Sequence, residues 1–225
     1  MIAITPAPAS RRLLRAAAAW PALPSLLVVR GDPHRHEVAL TLDDGPDAMT
    51  PEYLDVLARA GVRCTFFLIG ENCRARPDLV LEIVRGGHEI GNHSSKHDRF
   101  PSMSSLELAR DLEDTQDLLP SISPGRPIVR PPHGDTSLRS LALCALAGYR
   151  TVLWSLDSGD ARVRDPDELV ARVSVPHVRR GEIILMHEGQ SWTLAALPRI
   201  IEGLRAGGLE PVTVGELLAP RGDRS

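Results

Sequence analysis

The chain has 225 residues, 43% of them hydrophobic and 24% charged, which suits one soluble domain with a sizeable core, or two small ones. A net charge of −3, with no Lys/Arg block and only 4% aromatic residues, excludes the electrostatic footprint and stacking platforms of a nucleic-acid binder. Three widely spaced cysteines without a CxxC exclude a zinc ribbon or dithiol redox site, and Cys64 and Cys144 read as small core residues.

Residues 1–36 are expected to form an N-terminal extension ahead of a domain over 37–225. The stretch RRLLRAAAAWPALPSLLVVR has the basic start and short apolar run of an export signal. Pro21 and Pro24 break it, however, Arg30 closes it, and no small-x-small cleavage site follows. It is too short and too interrupted to span a bilayer. The expectation is a cytoplasmic protein, with export or a peripheral membrane contact as the alternatives.

From residue 38 the chain alternates between β-type and helical segments. VALTLD (38–43) runs into Asp43-Asp44-Gly45-Pro46, and TPEYLDVLARAG follows with Thr50 as helix cap and Gly61 as stop. VRCTFFLI (62–69) and HEIGN (88–92) are the next strands, and the latter leads into HSSKH. SSLELARDLEDTQDLL opens with Ser104 and Glu107 at capping-box spacing. PIVR (127–130), a helix over SLRSLALCALAGY, RTVLWSL (150–156) and EIILMH (182–187) come next. A helix over LAALPRIIEGLRAGG, with Pro198 near its start or at a kink, and PVTV (211–214) complete the series. Consecutive apolar positions mark strands covered on both faces, and the alternation predicts a parallel α/β barrel or a doubly wound sheet.

Polar residues fall at the C-terminal ends of these strands: Asp43 and Asp44, His93, Arg130, Asp157 and Asp160, and His187. Ligands and catalytic groups gather at that rim in parallel α/β folds. Each residue alone has an ordinary reading. DDGP is a good turn, RPPHG a rigid strand exit, and a His at a strand end is commonly a satisfied structural residue, that role or simple exposure being expected for His34, His36, His88 and His177. His93 and His97, four apart, would share one side of a helical turn. The combination is what points to chemistry. One Asp and two His make a three-ligand site for a divalent cation with an open position for water. The second Asp is then free as a base, Arg130 can orient it, and His187 with an acidic partner can protonate a leaving group.

With these residues in place, VALTLDDGPD, VRCTFFLIG, GGHEIGNHSSKH, RPPHG, LDSGDA and ILMH together resemble the polysaccharide deacetylases of carbohydrate esterase family 4, from about Glu37 to Leu218. The resemblance implies a single-domain distorted (β/α) barrel of seven or eight parallel strands. It implies Asp43 as catalytic base, Asp44, His93 and His97 as ligands of a divalent metal, Arg130 as the group positioning the base, and His187 tuned by Asp160 as general acid. The metal expected is Zn2+, with Co2+, Ni2+ or Mn2+ also accommodated by such a site. His133, Pro132, Leu185, Trp154 and Asp157 are the expected substrate-binding positions. His133 stands where the family usually has Tyr, and its N–H would hold the oxyanion. Ala161 replaces the usual Trp of the acetyl pocket, with Trp192 or Trp154 as candidate substitutes, and Leu42 replaces Phe. The implied reaction is N-deacetylation of amino-sugar residues in a chitin-like or peptidoglycan-like saccharide. The alternatives are deacylation or deformylation of a lipid-linked or small N-acyl substrate, and a catalytically silent sugar-binding domain. No nucleic-acid partner is expected, and the sequence sets no oligomeric state.

Overall fold

The computed structural model describes residues 27–120 and 126–220, so most of the basic and apolar stretch read as a possible export signal lies outside the described residues. Among the described residues, no helix is long and apolar enough to cross a membrane. The strands are β1 (Leu27–Val28), β2 (Glu37–Gly45), β3 (Thr65–Leu68), β4 (Glu89–Asn92), β5 (Ile128–Val129), β6 (Arg150–Val152), β7 (Leu156–Asp157), β8 (Ile183–His187) and β9 (Glu210–Val212). The helices are α1 (Thr50–Ala60), α2 (Gly70–Ala75), α3 (Pro77–Arg85), α4 (Ser105–Gln116), α5 (Leu138–Leu146), α6 (Pro166–Arg172), α7 (Ser191–Ala206) and α8 (Val214–Leu218).

The strands pair in parallel in the order β1–β6–β5–β4–β3–β2–β8–β7, with β9 beside the first residues of β2. Arg30, just past β1, makes an antiparallel bridge to Glu182, just before β8. That bridge draws the two ends of the strand order together, so the sheet curls into an incomplete barrel. β1 thus joins the sheet from within the segment expected as an extension, pairing with β6.

Alternation along the strands sorts the core into two faces. Val38, Leu40, Leu42, Phe66, Ile184 and Met186 pack outward with buried residues of α1, α3 and α7. Ala39, Phe67, Ile128, Val152 and Ile183 fill the barrel interior. Further along β2 and β8 the interior positions turn polar: Ala39 is followed on its face by Thr41 and Asp43, and Ile183 by Leu185 and then His187. The C-terminal end of the barrel interior is therefore where charge collects.

Three sequence expectations change. Segment 150–156 is two strands: β6 pairs with β5 and β1, and β7 with β8. Leu153 donates its N–H to Val28 and Ser155 donates its own to Ile183, so the chain switches neighbours across the barrel seam. Thr50 is the first residue of α1 rather than its cap. Met49 takes the cap position with no side-chain cap, Asp47 Oδ1 accepts the Met49 N–H, and the Thr50 hydroxyl donates to Glu188. Pro198 lies inside α7, which begins earlier than expected, at Ser191. The capping box at Ser104 and the left-handed stop at Gly61 (φ 62°) form as the sequence implies.

Candidate active site

Adjacent residues of a regular strand point to opposite faces, so Asp43 and Asp44 could not both reach one site without a local device. The register between β2 and β3 supplies it: Asp43 pairs with Phe67 and Gly45 with Leu68, leaving Asp44 as the extra residue of a β-bulge with φ 73°. A bulge re-aims a side chain at the expense of one ladder position. The bulge is pinned on both sides. The Glu188 N–H donates to the Asp43 carbonyl (3.0 Å), Asn72 Nδ2 to the Asp44 carbonyl (2.8 Å), and the Ile69 N–H to the Gly45 carbonyl (2.9 Å).

Asp44 Oδ1 lies 3.4 Å from His93 Nε2 and 3.2 Å from His97 Nε2. The spacing of the two histidines suggested one helical turn, but residues 93–97 form a loop in which Ser94 (φ 70°) and His97 (φ 62°) are left-handed. Asp111 on α4 holds that loop, accepting from the Ser94 hydroxyl (3.1 Å) and the Ser95 N–H (2.9 Å). His93 Nδ1 is 2.7 Å from the Arg130 carbonyl, which fixes it as the protonated nitrogen and leaves the Nε2 lone pair toward Asp44.

The residues fit a divalent cation. Ligand atoms of Asp44, His93 and His97 lie within 4.8 Å of one another, the donor set is the borderline carboxylate–imidazole mixture suited to zinc, and Asp44 Oδ1 is buried without a hydrogen-bond donor. Burial raises the Asp44 pKa, but the neighbouring imidazoles of His93, His187 and His97 outweigh it and set it at about 2. Burial, then the neighbouring His93, lowers that of His97, which favours the neutral ring a metal needs.

Asp43 sits beside this triad, its Oδ2 3.7 Å from His93 Nε2. Its other oxygen accepts from Arg130 Nη1 at 2.7 Å. Arg130 is fully buried and gives its remaining donors to Thr41 Oγ1 and the carbonyls of Val152 and Leu153, with its guanidinium 4.1 Å from the Phe67 ring centroid. Such a cation is tolerable inside a barrel because its carboxylate, its acceptors and an aromatic face are all in place.

Across the sheet, His187 is the register partner of Asp43. Its Nδ1 and its backbone N–H both bond the fully buried Asp160, at 2.7 Å each. Burial lowers the imidazole pKa, but the Asp160 bond, with the charges of Asp160, Asp43 and Asp44, raises it to about 9. The site therefore offers an acceptor next to an arginine and a charged donor next to a carboxylate, on either side of a cation-binding triad.

The polysaccharide deacetylase profile matches residues 30–152 of the chain. A peptidoglycan-N-acetylglucosamine deacetylase of Bacillus cereus is 36% identical over 80% of the chain and 87% of its own length. The chain belongs to the polysaccharide deacetylase family. A chitooligosaccharide deacetylase of Sinorhizobium fredii is 35% identical over 76% of the chain and 86% of its own length. Among solved structures, the peptidoglycan N-acetylglucosamine deacetylase Bc1960, bound to an N-oxidanyl benzamide, superposes with a TM-score of 0.81, at 29% identity over 91% of this chain and all of that one. A pseudoenzyme of the same carbohydrate esterase family, from Bacillus anthracis, superposes with a TM-score of 0.80, at 28% identity over 87% of this chain and 69% of that one.

The departures from the usual deacetylase pattern take definite places. His133 is exposed, left-handed (φ 60°) in the turn Pro132–Gly134, and edge-on to His97 with ring centroids 4.6 Å apart. Pro132 is buried, and Trp154 packs against Gly134, its ring centroid 5.7 Å from the Arg130 guanidinium. Ala161 is exposed. The Trp192 indole N–H donates to the carbonyl of the preceding Asp160 (2.8 Å), so Trp192 rather than Trp154 stands beside the position the family fills with Trp. Leu185 is buried one step below His187 on the same face. Asp157 stands apart: it accepts the Gly159 N–H and pairs with Arg162, and no contact links it to Asp43, Asp44 or His187 among the described residues.

Sequence reasoning missed three supports. Thr193 donates to Asp160 Oδ2 at 2.9 Å, Asp111 holds the histidine loop, and Glu188 underlies the bulge. Only Glu188 carried a signal, a charge directly after the last residue of an apolar strand.

Proposed function

We propose that the chain is a zinc-dependent N-deacetylase that hydrolyses the acetamide of amino-sugar residues in a peptidoglycan-like or chitin-like saccharide. The observation that carries this reading is the flanking of one Asp-His-His triad by an Arg-held carboxylate and an Asp-held imidazolium, Asp43 and His187.

Asp44, His93 and His97 would hold the cation. Bound there, zinc supplies Lewis-acid polarisation of the amide carbonyl and acidifies water. Asp43, oriented by Arg130, takes the proton of the attacking water. His187 carries a proton at Nε2, because Nδ1 is committed to Asp160, and delivers it to the departing amine nitrogen. The backbone N–H of His133, whose ring stands edge-on to that of His97, is the donor for the oxyanion, and Leu185 with Trp192 lines the acetyl methyl. Acetate and a free amino sugar result.

The pseudoenzyme neighbour makes a silent sugar-binding domain the second reading, since fold alone does not secure turnover. The complete acid, base and ligand set favours the enzyme. Zinc per chain and acetate release decide between them, on N-acetylglucosamine oligomers and peptidoglycan, with and without chelator. Chelator-sensitive release supports the deacetylase, whereas stoichiometric zinc with no release across both substrates overturns it. A soluble oligosaccharide substrate accords with a cytoplasmic enzyme and a cell-wall polymer with an exported one, and cell fractionation separates the two.

A further inference from the structure

Glu188 follows the general acid, is 4% exposed, and serves none of the steps above. Its Oε1 accepts the Thr50 hydroxyl at 2.7 Å, and Thr50 in turn accepts the Asp47 N–H at 2.8 Å, so the carboxyl ties the end of β8 to the turn that leads into α1. Its Oε2 is buried with no hydrogen-bond partner. Burial, together with the charges of Asp47, Asp44 and Asp43, outweighs the Thr50 hydrogen bond and raises its pKa to about 8, which favours the uncharged form at neutral pH.

The position of Oε2 is informative. A Cβ added at Gly45 would stand 1.5 Å from it, and the next two atoms it met would also belong to Glu188. Gly45 is not left-handed, so backbone conformation does not demand glycine there. The glycine is required because Glu188 occupies the space, directly under the residue that closes the bulge. The Glu188 backbone N–H meanwhile holds the Asp43 carbonyl.

We propose that Glu188 is a positioning residue for the Asp43–Asp44 pair: its carboxyl, wedged between Thr50 and the Gly45 backbone, sets the bulge that turns both aspartates into the site. The proposal rests on the reading of Asp44 as a metal ligand, but its steric part is independent of that reading. Supports of metal ligands are typically worth about 10–100-fold in affinity.

The test is a double-mutant cycle on the full chain, with E188A, E188Q, G45A and G45A/E188A, read by competitive zinc titration, thermal unfolding and kcat against KM. Glu188→Gln reproduces an uncharged carboxyl, so it should keep zinc affinity and kcat within about threefold. Glu188→Ala should weaken zinc by about tenfold and lower kcat with KM nearly unchanged. Gly45→Ala should lose about a hundredfold in zinc affinity, and adding Glu188→Ala should return it to the level of E188A alone. A G45A protein that fails to fold while the double variant folds and binds zinc supports the same conclusion. Wild-type zinc affinity and kcat in E188A, or strictly additive effects in the double variant, would overturn it. If the wild-type chain binds no zinc, the metal reading fails, while the unfolding temperatures of the same cycle still decide the wedge.

Discussion

Asp43 and His187 stand side by side as register partners across the β2–β8 ladder. The proposed base and acid are therefore spaced by main-chain hydrogen bonding, which is more rigid than loop packing. Their partners reach them from elsewhere: Arg130 from the end of β5, and Asp160 from the loop after β7.

This pairing predicts the pH dependence. The folded His187 pKa, about 9, lies above the ordinary imidazole value of 6.5, so folding favours the protonated ring. Its contribution to stability is full below about pH 6.5 and is lost as pH rises through about 9. Turnover needs the same protonated form, so kcat falls on the alkaline side. A cation held by the triad would repel the imidazolium and draw that limb to lower pH. Asp160→Asn should move the limb to lower pH and reduce kcat by about tenfold or more in a zinc-loaded pH–rate profile. An unmoved limb assigns the ionisation to another group.

Arg130 is the largest fully buried side chain of the barrel, and its removal leaves the Asp43 carboxylate without its counter-charge. Loss of one partner of a buried pair costs about 3–5 kcal/mol. Arg130→Ala should show that loss in denaturant unfolding, and kcat should fall with it. Arg130→Lys should not restore wild type, because one ammonium cannot serve Thr41, Asp43, Val152 and Leu153 in the geometry of a planar fork.

Metal binding and proton transfer should separate by mutation. Asp43→Asn keeps Asp44, His93 and His97 intact, so zinc stoichiometry should stay at the wild-type level while kcat drops by about 10²–10⁴. His97→Ala removes a ligand, and zinc content after dialysis should fall. Full zinc occupancy in H97A, or wild-type kcat in D43N, would reverse the assignments.

The strand–helix alternation and the rim position of Asp43, Asp44, His93, Arg130, Asp160 and His187 were legible because each is a local pattern: an apolar run that ends in a polar residue. What escaped is non-local. That β6 and β7 are separate strands depends on which neighbour each finds across the seam, and the run RTVLWSL holds no turn residue to mark the switch. The convergence of His93 and His97 was right but its cause was not, because the left-handed Ser94 and His97 are held by Asp111 from a distant helix. Asp157 fits the acidic pattern of LDSGDA, yet Arg162 and the Gly159 N–H engage it away from the site. The bulge at Asp44 likewise takes shape only against β3, so DDGP alone read as a turn.

Thr193 gives the most selective test of the acid. Its hydroxyl is buried and donates to Asp160 Oδ2 at 2.9 Å, the same oxygen that accepts the His187 N–H. Thr193→Val preserves shape and deletes only that donor, so Asp160 keeps its imidazole bond but loses one of the groups that fix its orientation. Hydrogen bonds to charged groups contribute about 1.5–3 kcal/mol, and a loss of that order is expected in unfolding. Zinc content should be unchanged, since Thr193 touches no ligand, while kcat falls and KM holds. Thr193→Ser retains the hydroxyl and should recover most of the rate. A T193V enzyme with unaltered kcat would show that the Asp160–His187 bond alone sets the acid.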